Sequence, residues 1–223
     1  MGVKERRERE KADVRERILD AAREMFARDG FEAVTMRAIA NAIEYSPPVI
    51  YAHFADKHAL IQELCYRDFR TLAQAFGKIG RVEDPVERLR RIGDAYIDFA
   101  LEHPGQYRFM FMTPKPADAK DAVRRAELRG NPEEDAYAFL VNTAAEGITA
   151  GRFRPELRDA EEVAQIVWAA AHGVVSLQVA KGEDEWIDWR DARATARKLI
   201  DALLRGIVRD PAALSPREPS TMA

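Results

Sequence analysis

Cysteine is almost missing from this 223-residue sequence, which contains Cys65 alone. One cysteine excludes an internal disulfide and a cysteine-rich metal site, and it fits a reducing compartment. Glycine-rich phosphate loops and the H-E-x-x-H and G-x-S-x-G motifs are also lacking. The four histidines, His53, His58, His103 and His172, have no spacing typical of metal ligands. We therefore expect no catalytic residues, no cofactor and no metal.

Membrane and secretion signals are scarce as well. No apolar run approaches the roughly 20 residues of a transmembrane helix, and the first 17 residues are charged throughout, unlike a signal peptide. The composition, 47% hydrophobic and 33% charged, is typical of a soluble globular protein. We expect a cytoplasmic protein with no membrane partner.

A strong excess of positive charge is missing too. The net charge is −3, and residues 1–80 contain 14 Lys and Arg against 13 Asp and Glu. This balance does not exclude nucleic acid as a partner, because DNA binding needs a local basic face rather than a basic protein.

What the sequence does have is helical periodicity, with no alternating strand pattern, from one end to the other. The fold class predicted is all-α. Stop and start signals at glycines, prolines and capping residues set the boundaries. The predicted helices cover residues 18–29, 36–43, 47–54, 57–77, 85–103, 104–113, 118–129, 132–150, 159–181 and 188–209.

A helix-turn-helix pattern lies near the N-terminus, where two short predicted helices are joined by Glu44 and Tyr45. In DNA-binding versions of this motif the later helix enters the major groove. Ile50 and Phe54 are four residues apart and should face the core, which leaves Pro48 on the groove side.

The same region resembles the N-terminal domain of TetR-family regulators. The string ILDAAREMFARDGF…TMRAIA…SPPVIYAHFADKHALI carries the resemblance across residues 14–64. It implies a homodimer that binds double-stranded DNA at a palindromic operator, usually as a repressor, and that responds to a small-molecule effector. The positions implied to meet DNA are Thr35, Arg37, Ser46, Pro47, Pro48, Val49, Tyr51, His53 and Lys57.

Two departures from the family pattern affect this surface. The family turn usually reads Gly-Val-Ser, and here Glu44 takes the place of the glycine, so we expect a strained or altered turn. Pro47, Pro48 and Val49 replace the frequent Lys-Gly-Thr, so we expect base recognition through thymine methyls and DNA shape, with phosphate contacts.

The segment before this domain carries five cations that can reach a DNA backbone. Interleaved Glu5, Glu8 and Glu10 weaken that possibility, and we predict a charged, frayed end instead. The cations are Lys4, Arg6, Arg7, Arg9 and Lys11.

The C-terminal helices combine features of a dimer face and of a ligand pocket. The predicted helix 159–181 is apolar almost all the way round, so it must be covered on more than one side. It is either the central helix of a monomer core or a helix shared between its own domain and a partner subunit. In proteins of the TetR family the last two long helices form a four-helix dimer interface. The residues predicted for this interface are Val163, Ile166, Val167, Ala170, Val174, Leu199, Leu203 and Ile207.

Trp168, His172 and Gly173 also resemble the Trp…His-Gly signature of one C-terminal domain class in that family. Aromatic and methionine side chains with a few polar groups suit a small-molecule pocket, although such residues at helical spacing also occur as plain core. The predicted ligand-binding residues are Phe99, His103, Tyr107, Met110, Phe111, Phe139, Asn142, Trp168 and His172.

The sequence thus predicts an N-terminal helix-turn-helix domain at 1–57, a C-terminal effector-binding and dimerisation domain at 58–210, and a disordered tail at 211–223. Two other functions stay open at this point. One is a helical adaptor that binds another protein, and the other, less favoured, is an all-helical enzyme.

Overall fold

The computed structural model describes residues 2–114, 129–131 and 134–214, and within these ranges the secondary structure is helical apart from one isolated β-bridge between Phe153 and Val208. The prediction of an all-α fold is confirmed. The α-helices are α1 (Val3–Asp29), α2 (Met36–Ala42), α3 (Pro47–Tyr51), α4 (Lys57–Gly77), α5 (Pro85–Glu102), α6 (Pro104–Tyr107), α7 (Ala136–Thr149), α8 (Ala160–Lys181) and α9 (Ala192–Ile207). A π-helix, Arg108–Met112, follows α6, and a 3-10 turn, Pro211–Ala213, follows α9.

Side-chain caps explain where several helices begin. The carboxylates of Asp135, Asp159 and Asp191 accept hydrogen bonds from backbone N–H groups in the first turns of α7, α8 and α9. The last helix therefore starts at Ala192 rather than at the predicted residue 188. The predicted helix 118–129 and the start at Pro132 lie outside the described residues, apart from residue 129, which is in a turn.

Both ends of the described chain differ from the prediction. The charged N-terminal segment is not frayed, because α1 is helical from Val3 onward. At the other end, Pro211–Ala213 forms a helical turn capped by Asp210, so the prediction of disorder is wrong for these three residues. Residues 215–223 lie outside the described ranges.

The chain divides into two compact units. The first contains α1, α2, α3, the part of α4 up to Phe69 and the segment that begins at His103. The second contains the chain from Arg70 to Glu102 and the described residues from 129 onward. This division differs from the predicted boundary at 57/58, since it lies inside α4 and returns a later segment to the first unit.

The first unit has a core made by aliphatic and aromatic side chains from α1 to α4. Ile18 and Phe26 of α1, Ile39 of α2, Ile50 of α3 and Leu60 of α4 are all fully buried. Burial of this kind supplies most of the stability of short helices, which are marginal when isolated.

Phe109 joins this core from far along the chain. Its side chain is 0% exposed and its ring stacks on Phe26 with centroids 6.1 Å apart. The π-helix that carries it was predicted as part of the C-terminal domain, and the structure assigns it to the helix-turn-helix unit instead. A long-range contact of this kind leaves no local signal in the sequence.

Ion pairs join α1 to α4 beside that core. The Arg23 guanidinium donates to both carboxylate oxygens of Asp68, at 2.9 and 3.1 Å, and Asp68 is almost completely buried. Arg67 pairs with Glu16, with Nη1 2.7 Å from Oε2. A buried carboxylate needs such a partner, because an unpaired charge costs several kcal/mol.

The second unit packs α5, α7, α8 and α9 around one another, and α8 contacts all three of the others. Between α5 and α9, Arg193 donates to Asp98 at 2.7 Å and to Glu102 at 3.1 Å. Between α5 and α7, Arg88 donates to Glu146 at 2.7 Å.

In the part of the chain that the structure describes, α8 is long enough and apolar enough to cross a membrane, judged by its length and composition alone. The prediction that no apolar run approaches that length was therefore wrong. Core helices of soluble proteins pass the same test, and α8 packs against three neighbouring helices of its own unit.

Replacing Phe109 by alanine should lower the free energy of unfolding by about 3–5 kcal/mol, because it removes a fully buried ring from the first unit. Chemical denaturation measures the loss. Met112→Ala, in the same π-helix but exposed, is the matched control and should change stability by less than about 0.5 kcal/mol. Equal effects of the two substitutions would contradict the assignment of this segment to the core.

Candidate DNA-binding surface and effector region

The helix-turn-helix is formed by α2 and α3, and backbone hydrogen bonds fix the turn between them. Tyr45 N–H donates to Ala40 O at 2.9 Å, which closes the end of α2. Ser46 is the N-cap of α3 by position, but its side chain makes no capping hydrogen bond. Pro47 and Pro48 occupy the first turn of α3, where a missing N–H leaves no helical hydrogen bond unmade.

Glu44 adopts a left-handed backbone conformation, which is one form of the strained or altered turn expected here. Its φ is 61°, the one positive φ outside glycine in the described ranges. An L-residue with a Cβ pays a steric cost there that glycine avoids. The departure from the family's glycine is thus accommodated by a strained backbone at Glu44.

Residues of α3 divide between core and solvent as the four-residue spacing predicts. Ile50 and Phe54 are buried, whereas Pro48 and Ala52 are exposed and Tyr51 is 54% exposed. The exposed side is apolar and aromatic, and it lacks a bidentate hydrogen-bonding side chain. Such a surface suits contact with thymine methyls and sugars better than paired hydrogen bonds with base edges.

Two polar residues lie at the start of α2. The Thr35 hydroxyl oxygen accepts a hydrogen bond from Ala38 N–H at 3.0 Å, and its own proton stays available for an outside acceptor. Arg37 is exposed and pairs with no other described residue. Hydroxyl and guanidinium groups at a helix start are a typical arrangement for phosphate.

Lys57 differs from its predicted role. Its ammonium donates to Phe31 O at 2.7 Å and to Val34 O at 2.9 Å, and it lies 4.2 Å from the centroid of the Phe31 ring. These contacts tie the start of α4 to the loop between α1 and α2. We therefore assign Lys57 a structural task inside the unit instead of a DNA contact through its side chain.

His53 lies at the end of α3 beside cations of α1. Burial lowers the pKa of His53, and the positive charges of Lys11 and Arg15 lower it further. Ser46 is exposed, and Pro47, Val49 and His53 are partly exposed. Apart from Lys57, the residues predicted to meet DNA thus reach solvent on the helix-turn-helix and have no comparable tie to the inside of the unit.

The predicted dimer residues separate into two groups. Val163, Val167 and Ile207 are buried within a single chain, so they belong to the core of the second unit and not to a free face. Ile166, Ala170, Val174 and Leu203 are partly exposed, and Leu199 is 39% exposed. Leu177, 56% exposed, lies on the same side of α8 and was missed.

The predicted ligand-binding residues are also divided. Phe99, Phe139, Asn142, Trp168 and His172 belong to the second unit, and His103, Tyr107, Met110 and Phe111 belong to the first.

Several of these residues are not placed as a pocket requires. His103 and Asn142 are exposed, and Tyr107 and Met110 are buried as core. Phe111 contacts Tyr107 and Phe69 through its ring, with centroids 5.2 and 5.7 Å apart. His103, predicted as a polar handle, precedes α6 at the surface, so the structure does not bring it together with the cluster on α8.

Within the second unit, Trp168 and His172 form a cluster with two tyrosines that the sequence analysis missed. Tyr96 Oη lies 2.8 Å from His172 Nδ1, and the Trp168 ring lies 5.9 Å from that of His172 and 6.0 Å from that of Tyr137. Ile92, Tyr96 and Phe99 are four and three residues apart, and all three are buried in α5. This helical spacing is the sequence signal that could have placed Tyr96 on the buried side of the helix.

Burial sets the protonation of this cluster. It lowers the pKa of His172 and raises the pKa of Tyr137, whose hydroxyl also donates to Glu161. The lowered pKa of His172 favours the neutral imidazole, which lies beside the aromatic rings of Tyr96 and Trp168.

These observations define a helix-turn-helix protein with a separate helical unit. The family model of bacterial regulatory proteins of the tetR family matches residues 18–64, and that of the tetracyclin repressor-like C-terminal domain matches residues 89–203. The second match alone covers more than half of the chain. The chain belongs to the TetR family of bacterial regulatory proteins.

Individual relatives agree with this membership. The chain is 38% identical over 89 residues to the transcriptional regulator UidR of Escherichia coli K12, an alignment covering 40% of this chain and 39% of UidR. It is 27% identical over 150 residues to the transcriptional repressor KstR2 of Mycolicibacterium smegmatis, covering 66% and 70% of the two chains. Both relatives are named as regulators of transcription and not as enzymes.

A solved structure extends the likeness to nearly the whole fold. The TetR-family regulator PfmR of Thermus thermophilus superposes with a TM-score of 0.66 at 25% identity, covering 87% of this chain and 97% of PfmR. The fatty acid degradation regulator FadR of Bacillus halodurans has a TM-score of 0.70 at 20% identity, covering 86% and 95%. The latter likeness concerns the fold alone.

Replacing Glu44 by glycine should raise the free energy of unfolding by about 1 kcal/mol, because it relieves the left-handed strain in the turn. Denaturant titration measures the gain. Glu44→Ala removes the same carboxylate while keeping a Cβ, so it should bring no such gain. A stability gain of equal size for both substitutions would attribute the effect to charge and refute the strain.

Proposed function

We propose that this chain is a homodimeric transcriptional repressor that binds a palindromic DNA operator through α2 and α3 and leaves it when a small molecule binds the second unit. The observation that carries the proposal is the division of the helix-turn-helix. Ile50 and Phe54 anchor α3 in the core, while Thr35, Arg37 and Tyr51 remain at the surface.

In this proposal α3 lies in the major groove and α2 crosses the phosphate backbone. Pro48, Val49 and Ala52 contact thymine methyls and sugars, and Tyr51 packs against the backbone. Thr35 and Arg37 bind phosphate and set the register. Sequence preference then arises from methyl contacts and DNA shape more than from bidentate hydrogen bonds.

The dimer is proposed to form through one apolar stripe on each of α8 and α9. On α8 the stripe includes Ile166, Ala170, Val174 and Leu177, which recur at three- and four-residue steps and retain solvent exposure in the single chain. Leu199 and Leu203 continue it on α9. Exposed apolar stripes of this length in a soluble protein mark an interface, and a two-fold dimer matches two half-sites.

The effector is proposed to bind at the cluster of Tyr96, Tyr137, Trp168 and His172. Trp168 and His172 lie on the side of α8 opposite the apolar stripe, so ligand and partner subunit use different faces. The rings of Tyr137 and Trp168 reach solvent beside the His172 imidazole, and such a surface suits a largely apolar molecule with one or two hydrogen-bonding groups.

Release is proposed as a population shift. The effector binds best to a dimer conformation in which the two α3 helices no longer match successive major grooves, so its binding lowers the population that holds DNA. α4 is the proposed carrier of the coupling, because its residues are divided between the two units. A cytoplasmic location follows from action on bacterial DNA.

The test compares two charge-matched substitutions on DNA selected by the protein from random duplexes. Arg37→Gln should weaken binding about tenfold, because it removes a phosphate contact. Arg28→Gln removes an exposed guanidinium that pairs with Asp29 at the C-terminal end of α1, and it should change affinity less than twofold. Fluorescence anisotropy at several salt concentrations provides the affinities.

Two results would count against the proposal. One is an unchanged affinity for Arg37→Gln, which would remove α2 from the interface. The other is a wild-type protein that selects no duplex at low salt, which would favour a helical adaptor over a DNA-binding regulator.

A further inference from the structure

The N-terminal half of α1 extends beyond the part of the helix that the helix-turn-helix core requires. α1 begins at Val3, whereas the family match begins at residue 18. Residues 4–13 are all exposed, and core contacts start at Val14. About three turns of helix therefore project from the unit without burying a side chain in it.

Cations recur on one side of this projecting helix. Lys4, Arg7, Lys11 and Arg15 are separated by three, four and four residues, which places them within roughly 80° of arc on an α-helix of 3.6 residues per turn. We call these four residues the basic stripe. Arg6 and Arg9 fall on the opposite side of the same helix.

Contacts of α1 place the basic stripe next to α3. The Arg15 guanidinium lies 4.5 Å from the centroid of the Phe54 ring, just after the end of α3. Two residues later, Arg17 donates to Ile43 O at 3.1 Å in the turn between α2 and α3. The charges of Lys11 and Arg15 also act on His53. The end of the stripe formed by Lys11 and Arg15 thus lies beside the residues that follow α3.

Carboxylates neutralise the other side of α1 more than they neutralise the stripe. Glu10 pairs with Arg6 at 2.9 Å, and Glu5 accepts from Gly2 N–H at 3.0 Å. Within the stripe, Arg15 forms an ion pair with Glu63 at 3.3 Å. Glu8 lies next to the stripe on the helix surface. Lys4, Arg7 and Lys11 form no ion pair with any residue in the described part of the chain.

We propose that Lys4, Arg7 and Lys11 bind backbone phosphates of the DNA that flanks the groove entered by α3. The helix holds these cations in a row in advance, so binding does not have to order a flexible arm. This contact is sequence-independent and enlarges the DNA site beyond the helix-turn-helix. The proposal rests on the proposed DNA binding.

The test uses two double substitutions in the full chain with the same change in charge. Arg7→Gln with Lys11→Gln removes the centre of the stripe, and Arg6→Gln with Arg9→Gln removes two cations from the opposite side. Glutamine keeps helix propensity close to that of arginine and lysine, and circular dichroism checks that helix content is unchanged. Affinity is measured on the selected operator in a short duplex and in one lengthened on both flanks.

The stripe variant should bind the long duplex about tenfold more weakly than wild type near 0.1 M salt. The slope of log affinity against log salt should become less steep by about 0.9 for each lost phosphate contact. Two contacts are lost in each subunit, so the slope should change by about two per subunit. Lengthening the duplex should strengthen wild-type binding and leave the variant unchanged. The opposite-side variant should follow wild type within twofold.

If both double substitutions weakened DNA binding equally, the effect would come from the net charge of the protein, and the proposal would be overturned. So would a stripe variant that gains from the lengthened duplex as much as wild type does. Both results presuppose that wild type binds DNA, so they are distinct from failure of the proposed function, in which wild type binds no duplex.

Discussion

The geometry of this protein depends on how a recognition helix of five residues is held in place. A helix as short as α3 has no stability of its own in water, so its orientation comes from the core beneath it and from its connections. Ile50 and Phe54 are buried among side chains of α1 and α4. Lys57 ties the start of α4 to the carbonyl groups of Phe31 and Val34. Whatever α3 does at the surface follows from these contacts.

That core is not a local product of the first 60 residues. Phe109 completes it from a π-helix after α5, and the division between the two units lies within α4. The chain passes between the two units three times: within α4, after Glu102, and again after the π-helix. A change in the second unit thus has covalent routes to the helix-turn-helix through α4 and through the segment that carries Phe109, which is the physical basis for the proposed response to an effector.

The sequence predicted the structure where the contacts that decide it are local. It predicted the helix-turn-helix, the buried positions Ile50 and Phe54, and a strained or altered turn at Glu44, because each follows from periodicity or from the cost of a Cβ. The prediction was wrong where helices are apolar on every side. Val163 and Val167 were placed on a dimer face, yet α8 uses them for its own core, and periodicity alone does not distinguish a neighbour in the chain from a partner. Tyr96 was missed, and the surface position of His103 was not foreseen, because tertiary contacts decide their surroundings.

The most direct test of the account is hydroxyl-radical footprinting of the full-length protein on its selected duplex. Two α3 helices presented by a symmetric dimer should protect two backbone stretches whose centres are about one helical turn, 10–10.5 base pairs, or a multiple of it apart. A single protected stretch, or protection with no two-fold symmetry, would contradict the paired presentation of α3 on which the account depends.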